Sequence, residues 1–307
     1  MKDIIEEIRE LQQQRDAVIM AHYYVEKEVQ EIATYVGDSY FLSKKATEIE
    51  ANTIVVCGVS FMGESAKLLN PNKLVLLPDM SADCPMAHMV EVEEVERMRG
   101  LYADLAVVCY VNSSAVLKAA SDVCVTSANA LEVVRELPNQ HIYFIPDEHL
   151  GRFIAKMLPD KHFIYNNGYC PVHRMITTDR LHKMKSNHPN AKILVHPECT
   201  EDVCNMADYA GSTAGIIEYA TNSLDKEFII GTEEGVAYEL RKRNPDKIFY
   251  LLEKVICADM KKITLEKVRD CLRNISGEVV LDSVIATSSV KSLNKMLELA
   301  ALGKERM

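Results

Sequence analysis

Three cysteines fall at nearly equal intervals along the sequence. Cys84 and Cys170 are 86 residues apart, and Cys170 and Cys257 are 87 residues apart. Each follows an apolar run, and equal spacing of a reactive residue indicates one structural unit used three times. Three thiolates brought to one point would hold a metal centre and leave one position open for chemistry.

The chain has nine cysteines, which is many for a protein of a reducing compartment. Because the number is odd, they cannot all be paired within the chain. Disulfides are disfavoured in such a compartment, so metal ligation or catalysis is the expected use of some of them. The others are interpreted as packing residues, because they lie in apolar β-like runs, in a helical pattern, or in the loosely spaced CTEDVC segment. These packing residues are Cys57, Cys109, Cys124, Cys199, Cys204 and Cys271.

Three thiolates suit either zinc or an iron–sulfur cluster. Structural zinc sites usually contain two C-x2–4-C pairs, whereas the only pair of this kind in the sequence is the CTEDVC segment, which is interpreted as packing. Single cysteines far apart in the chain favour a buried cluster at an interface. A [4Fe-4S] cluster normally takes four thiolates, so three would leave one iron free to bind a substrate oxygen as a Lewis acid.

Acid–base residues and small-residue turns occur at matching places in the repeat. His22, Tyr24, Tyr110, His196 and Glu198 lie in polar clusters that follow predicted strands. The turns contain Ser39, Ser127 and Thr213, each at the start of a predicted helix, where free backbone N–H groups bind anions or accept a simple N-cap. For His173, three residues after Cys170, both a supporting role at the metal and a surface position stay open.

Alternating strands and helices must position these residues. The segments between the predicted strands are amphipathic and of helix length, which is typical of an α/β fold with parallel sheets. The strands are predicted at 17–24, 53–58, 73–79, 105–111, 141–147, 161–166, 192–196, 227–231 and 247–252.

In register, these elements form three similar units. We therefore predict three pseudo-symmetric, three-layer αβα domains with parallel sheets around a central active-site cavity, because ligands of parallel sheets bind beyond the carboxyl ends of the strands. The predicted domains are residues 1–85, 86–171 and 172–258, followed by a helical tail over 259–307 that packs back on the assembly.

Composition excludes several classes of protein. The chain has 307 residues, 48% of them hydrophobic, and its net charge of −10 argues against a general nucleic-acid binder. It contains no apolar run of about 18 residues, so no membrane association is expected. The charged, amphipathic N-terminus does not resemble a signal peptide, and a cytoplasmic location is expected.

Several separated motifs together resemble the quinolinate synthase family. They are AHYY, GDS, CYVNSSAVLKAASDVCVTSANA, GYCPVHR, HPEC and YAGSTAGI, in that order, and the resemblance covers essentially the whole chain. The resemblance implies an enzyme that condenses iminoaspartate with dihydroxyacetone phosphate to quinolinate, the precursor of the NAD pyridine ring, with loss of phosphate and two waters. An L-aspartate oxidase or dehydrogenase would supply the iminoaspartate.

The resemblance also implies roles for individual residues. An oxygen-sensitive [4Fe-4S] cluster would be held by Cys84, Cys170 and Cys257. Tyr24 and Glu198 would transfer protons with Tyr110 and His196 nearby, while Ser39 and Ser127 would hold the triose phosphate. The full set of substrate-facing residues carried over by motif is His22, Tyr24, Ser39, Tyr110, Asn112, Ser127, His196, Glu198, Ser212 and Thr213.

Two other classes of function stay open from the residues alone. One is a different iron–sulfur hydro-lyase that acts on a hydroxy acid, and the other is a zinc-stabilised or solute-binding α/β protein. The acid–base residues predicted at all three sets of strand ends favour an enzyme over a binding protein.

Overall fold

Three parallel β-sheets of four strands each form the framework of the protein. The computed structural model describes residues 2–305. Counting the four strands of each sheet in chain order, all three sheets have the spatial order 2-1-3-4. The predicted fold class, an α/β architecture in which one sheet-containing unit is used three times, is confirmed.

The first unit supplies sheet strands β1 to β4, and a short 3-10 helix follows the last of them. Its strands are β1 (Ala17–His22), β2 (Tyr35–Gly37), β3 (Thr53–Cys57) and β4 (Leu74–Leu76). Its helices are α1 (Lys2–Gln14), α2 (Lys27–Ile32), α3 (Ser39–Ala46) and α4 (Ser60–Leu69), with the 3-10 helix at Pro85–His88.

The second unit repeats this order of elements after a linking helix, α5 (Val92–Leu101). Its strands are β5 (Leu105–Tyr110), β6 (Val123–Val125), β7 (His141–Ile145) and β8 (His162–Tyr165). Its remaining helices are α6 (Ala115–Ala119), α7 (Ala130–Glu136), α8 (Glu148–Ala155) and α9 (Pro171–Arg174).

The third unit has the same order again. Its strands are β9 (Lys192–Val195), β10 (Tyr209–Ala210), β11 (Glu227–Gly231) and β12 (Ile248–Leu251). Its helices are α10 (Thr178–Asn187), α11 (Glu201–Met206), α12 (Thr213–Asn222) and α13 (Val236–Arg243), with a 3-10 helix at Met260–Lys262.

The central strands are buried on both faces, as β-branched runs in parallel sheets require. In the third unit, Leu194, Phe228 and Ile230 pack against α12 and α13 on one face. Their neighbours Ile193 and Ile229 pack against α10 and α11 on the other face. Alternate residues of one strand thus serve two cores, which makes this unit a three-layer αβα sandwich.

The C-terminal tail forms two helices, α14 (Leu265–Asn274) and α15 (Ser283–Glu305). Helix α14 packs on α1, while α15 packs on α6, α7 and β6 of the second unit and on α4 of the first. The two helices therefore pack on both units, and the first two units and the tail share one continuous hydrophobic core.

Each predicted metal ligand lies in the loop after the fourth strand of its sheet. Cys84, Cys170 and Cys257 each immediately precede, or lie within three residues of, a short helix. The exact domain boundaries proposed from the sequence stay a prediction. No helix among residues 2–305 is both long and apolar enough to cross a bilayer.

Candidate active site

One cavity is lined by residues that follow the carboxyl ends of strands in all three sheets. It brings together every site residue predicted from the sequence except Ser212. Those that line it are His22, Tyr24, Ser39, Cys84, Tyr110, Asn112, Ser127, Cys170, His196, Glu198, Thr213 and Cys257. Their chemical roles stay predictions, but the structure brings their side chains to one place.

The three cysteines that line the cavity are partly buried free thiols. Burial raises the pKa of Cys84, Cys170 and Cys257, and mutual repulsion of their thiolate charges adds to the rise for Cys84 and Cys170. These raised pKa values favour the protonated thiol. A positively charged metal centre would instead favour the thiolate, because metals bind the deprotonated sulfur.

The spacing of the three thiols bears on the kind of metal centre. Sulfur ligands of one tetrahedral zinc ion lie about 3.8 Å apart, given zinc–sulfur bonds of about 2.3 Å. Among the described residues, the only set of three ligand atoms within 4.8 Å of one another comes from Cys170, His173 and Glu198. That set could hold one ion. The three thiols line the same cavity at a wider spacing, which fits a centre of several metal atoms.

Two histidines repeat the same local structure at the ends of β1 and β9. The Nδ1 atom of His22 accepts a 3.2 Å hydrogen bond from the backbone N–H of Tyr24. The Nδ1 atom of His196 accepts a 3.3 Å bond from the N–H of Glu198. Burial lowers the pKa of His22 to about 4 and that of His196 to about 3. Both rings are therefore neutral near pH 7 and carry their proton on Nε2.

Glu198 is the charged centre of the site, and its side chain is almost completely buried. Tyr110 donates a 2.5 Å hydrogen bond to Oε1, and His173 Nδ1 lies 2.6 Å from Oε2. Burial opposes the carboxylate charge, but the rings of His196 and His173 and these hydrogen bonds outweigh it and hold the pKa of Glu198 well below its usual range. The structure therefore supports an ionised base at this position.

Tyr24 is joined to Glu198 through two further side chains. Its hydroxyl lies 2.7 Å from Thr213 Oγ1 and 2.8 Å from Thr232 Oγ1. Thr232 Oγ1 in turn lies 2.9 Å from His173 Nε2. Burial, and then the Glu198 charge, raise the pKa of Tyr24 well above its usual value. Tyr24 therefore keeps its proton and can act as an acid.

The second unit contributes hydrogen-bonding groups on the opposite wall. Ser127 Oγ lies 3.2 Å from His196 Nε2, so the Nε2 proton of His196 can be donated to the serine oxygen. Asn112 Oδ1 is buried without a hydrogen-bond partner in the structure. An unsatisfied buried carbonyl costs free energy, so this amide is suited to a ligand that carries a donor.

Ser212 lies behind the cavity wall and has a structural contact. Its hydroxyl caps α12 by accepting a 3.1 Å hydrogen bond from Gly215 N–H. It also lies beside the Asp38 side chain, whose Oδ1 caps α3 by accepting a 2.9 Å hydrogen bond from Phe41 N–H, while Oδ2 is buried without a hydrogen-bond partner. A buried carboxyl group thus lies near the start of α12, where the sequence interpretation expects an anion.

Sequence reasoning missed three residues and left a fourth undecided. Asp38 and Glu233 line the cavity, Thr232 contacts the Tyr24 hydroxyl beside it, and His173 is buried between Cys170 and Glu198. Thr232 and Glu233 directly follow strand β11, in the sequence IIGTEEG. Polar residues just beyond the carboxyl end of a parallel strand are the signal that would have found them.

Comparisons with known proteins agree with the geometry of this site. The family model described as "Quinolinate synthetase A protein" matches residues 6–298. A quinolinate synthase of Caldicellulosiruptor bescii is 50% identical over 294 residues, which cover 95% of this chain and 97% of that protein.

Two further relatives match over nearly their whole length. A quinolinate synthase of Fusobacterium nucleatum is 47% identical over 300 residues, covering 98% of this chain and 99% of the relative. One of Clostridioides difficile is 46% identical over 300 residues, covering 97% and 99%. With the family match over most of its length and these identities, the chain belongs to the quinolinate synthetase A family.

Proposed function

We propose that this protein is a quinolinate synthase that condenses iminoaspartate with dihydroxyacetone phosphate. One quinolinate, one phosphate and two waters would form from the two substrates. The observation that carries the proposal is the single cavity in which three cysteines, one from each sheet-containing unit, meet the buried carboxylate of Glu198. Membership of the family and the names of the curated relatives support it.

Cys84, Cys170 and Cys257 would hold a [4Fe-4S] cluster. Two observations support a cluster over a single zinc ion: the three cysteines line one cavity, and their sulfur atoms do not form a set within 4.8 Å of one another. When bound, such a cluster supplies a Lewis acid at the iron that lacks a thiolate, and that chemistry assists loss of hydroxide from a substrate.

The two substrates are anions, and the acidic chain must bind them with local donors. The hydroxyls of Ser39 and Ser127 lie in turns at or just before helices α3 and α7, where they can donate to phosphate or carboxylate oxygens. Asn112 and Thr213 add groups on two further walls. Ser212 would act through the helix that it caps rather than through direct contact.

Proton transfer would be divided between an acid and a base. Tyr24 keeps its proton because burial disfavours phenolate, so it would donate to a leaving or enolic oxygen. Glu198 is held in the carboxylate form and would take protons from carbon or nitrogen. Tyr110 and His196 would tune this base, Tyr110 by a direct hydrogen bond and His196 from the same end of β9, with Nδ1 3.9 Å from Oε2.

The anaerobic assay tests the activity and the cofactor on one sample. Protein purified without oxygen is mixed with iminoaspartate and dihydroxyacetone phosphate, quinolinate is measured, and iron and sulfide are quantified. We expect quinolinate together with about four iron and four sulfide per chain. Zinc without sulfide, or iron and sulfide without quinolinate, would contradict the proposal, the latter in favour of another hydro-lyase.

Single substitutions of the three cysteines test their role. Each of the changes Cys84→Ser, Cys170→Ser and Cys257→Ser should remove cluster and activity together. Cys204→Ser is the matched control, because Cys204 is a half-buried thiol that does not line the cavity. Wild-type activity in all three variants would exclude the proposed ligand set.

Two parts of the proposal concern the cell. Iminoaspartate would come from an L-aspartate oxidase or dehydrogenase, because an imine of this kind hydrolyses in water and must be made nearby. The cytoplasmic location expected from the N-terminal sequence stays a prediction. Quinolinate formed from aspartate only when the oxidase or dehydrogenase is added would support the functional link.

A further inference from the structure

The backbone N–H groups of two of the predicted ligand cysteines are bound by carboxylates. Cys84 N donates a 2.8 Å hydrogen bond to Oδ1 of Asp83. Cys257 N donates a 3.2 Å hydrogen bond to Oε1 of Glu233. Each bond fixes the backbone from which a cysteine side chain extends into the cavity.

The second unit presents a third carboxylate to its cysteine. Asp147 is fully buried beside the N–H of Cys170; its Oδ1 accepts a 2.7 Å hydrogen bond from Leu150 N–H, and its Oδ2 has no hydrogen-bond partner in the structure. Asp147 lies two residues after the last residue of β7, and Glu233 lies two residues after the last residue of β11. The repeat therefore places an acid at the same position of two units.

The first unit reaches the same contact from a different position. The residue two after the end of β3 is Val59, which has no polar side chain. The carboxylate comes instead from Asp83, which Ser60 of α4 holds by a 2.5 Å hydrogen bond to Oδ1. A carboxylate beside the cysteine N–H is thus present in all three units, although two different places in the unit supply it.

Glu233 has the most extensive set of contacts. It is 0% exposed, and its Oε2 accepts a 2.6 Å hydrogen bond from Gly235 N–H. Lys261 Nζ lies 3.2 Å from Oε1 and also donates a 3.1 Å hydrogen bond to the carbonyl of Tyr24. One ion pair therefore links the cysteine loop of the third unit to the backbone of Tyr24 in the first.

We infer that Glu233, held by Lys261, is a positioning residue that fixes the Cys257 loop for metal binding, and that Asp83 and Asp147 do the same for Cys84 and Cys170. This inference rests on the proposed function. A ligand whose backbone is fixed in advance is slow to leave the metal, and loss of such a supporting contact typically weakens metal binding about 10–100-fold.

The test compares iron release from variants that differ at this contact. In Glu233→Gln the side chain keeps its size, but its amide cannot accept from both Cys257 and Gly235 and cannot pair with Lys261. In Lys261→Met the carboxylate loses its cation, whereas Lys261→Arg keeps the positive charge. Glu234→Gln is the matched control, because it removes the same charge from the next residue, whose side chain lies outside the cavity.

Each protein is loaded with iron and sulfide without oxygen, and release of iron to an excess of chelator is followed by absorbance. We expect release at least about tenfold faster in Glu233→Gln and Lys261→Met than in the wild type. Glu234→Gln and Lys261→Arg should stay within about threefold of the wild type. Thermal unfolding of each metal-free variant shows that it is folded at the temperature used.

Equal rates of iron release in the wild type, Glu233→Gln and Lys261→Met would overturn the inference that Glu233 positions the Cys257 loop. The proposed function would not be affected by that result. If Glu233→Gln does not fold, Lys261→Met and Asp147→Asn decide the matter, and wild-type release in both overturns it. Wild-type protein that binds no iron and sulfide would overturn the proposed function and this inference together, so the two failures are distinguishable.

Discussion

Side chains from all three units form one hydrogen-bonded network in the cavity. Thr213 and Thr232 contact the hydroxyl of Tyr24, and Thr232 continues the network to His173. His173 then contacts Glu198. A proton added at one end changes the preferred hydrogen positions at the other, so acid and base are coupled through groups that need not touch substrate.

Removing the Thr232 hydroxyl tests this coupling. In Thr232→Val the shape is kept, but Tyr24 and His173 lose their shared partner. We expect kcat to fall at least about tenfold, or about 1.4 kcal/mol of transition-state stabilisation, with a smaller change in KM. Steady-state assays without oxygen measure both constants.

Thr221→Val is the control for that substitution. Thr221 bonds only to backbone and side-chain groups around α12, away from the cavity, so kcat should stay near the wild-type value. A kcat within twofold of wild type in Thr232→Val would show that the network does not serve catalysis.

The buried ring of His22 predicts a pH dependence of stability. Its pKa is about 4 in the folded protein and 6.5 when exposed, so the unfolded chain binds more protons between these values. The stability present above about pH 6.5 is therefore lost as the pH falls toward 4, by at most on the order of 3 kcal/mol. Urea denaturation of metal-free protein should show this loss.

His22→Asn isolates the contribution of that histidine. Asparagine can still accept from the Tyr24 N–H but does not titrate in this range. The difference in unfolding free energy between variant and wild type should thus shift in favour of the variant as the pH falls. A constant difference from pH 7 to pH 4 would contradict the burial argument.

For individual residues, the sequence predicts the position of those whose contacts lie within one motif. His22 and Glu198 follow strands visibly, and their position in the cavity could be predicted. The contact between Asp38 and Ser212 could not be predicted, because it joins two units that are far apart in sequence. Contacts between side chains of different units depend on how the units pack together. A single sequence shows no local pattern from which that packing can be predicted.

Among the elements, the start of α13 and the end of β1 approach each other unusually closely. A Cβ atom on Gly235 would lie 2.7 Å from the Tyr23 carbonyl oxygen and 2.8 Å from the Tyr24 Cα. Both are backbone atoms, which cannot rotate away. Only glycine allows the third unit to contact the strand end that carries Tyr24.

Gly235→Ala should therefore separate these two elements. We expect a loss of about 1–3 kcal/mol in unfolding free energy from overpacking, together with reduced activity because Tyr24 moves. Gly100→Ala is the control, since a Cβ there meets nothing within 4 Å and alanine favours α5 by about 1 kcal/mol. Urea denaturation and activity assays on both variants check this, and an undisturbed Gly235→Ala protein would contradict it.

Nine strands were predictable because each lies in an apolar, β-branched run of at least five residues, although β4 itself pairs over only three of them. The second strands of the three sheets, β2, β6 and β10, have only two or three residues each. Their presence can be predicted only from the repetition of the unit. Predicted strand ends also ran past the observed ones, as at β4, Leu74–Leu76. Apolar residues beyond a strand pack in the loop, so hydrophobicity alone does not mark where sheet pairing stops.

Across the whole molecule, packing is less symmetric than strand order. The first two units and the tail share one continuous core, while the third unit has separate cores on its two faces. Helix α15 contributes Leu293 and Met296, both fully buried, to the shared core. The tail was predictable as helical and packed, but its contacts with two particular units were not, since an amphipathic helix does not specify its partner.

Leu293→Ala tests the contribution of α15 to this shared core. Removing a fully buried leucine side chain should cost about 2–5 kcal/mol of unfolding free energy. Leu302→Ala in the same helix is the control, because Leu302 is 45% exposed and should change stability by less than about 1 kcal/mol. Equal effects of the two substitutions in chemical denaturation would show that α15 is dispensable for the core.

The threefold repetition of the sheets limits the symmetry with which three cysteines can hold a cubic cluster. Each unit offers one cysteine, so a donor set of three such ligands can have at most the rotational symmetry of a triangle. A cube keeps that symmetry only about a body diagonal, which relates three of its metal corners and leaves the fourth on the axis. If the proposed cubane is held by the three units, one of its metal corners has no equivalent ligand, and the open coordination site in the proposal would follow from the number of units.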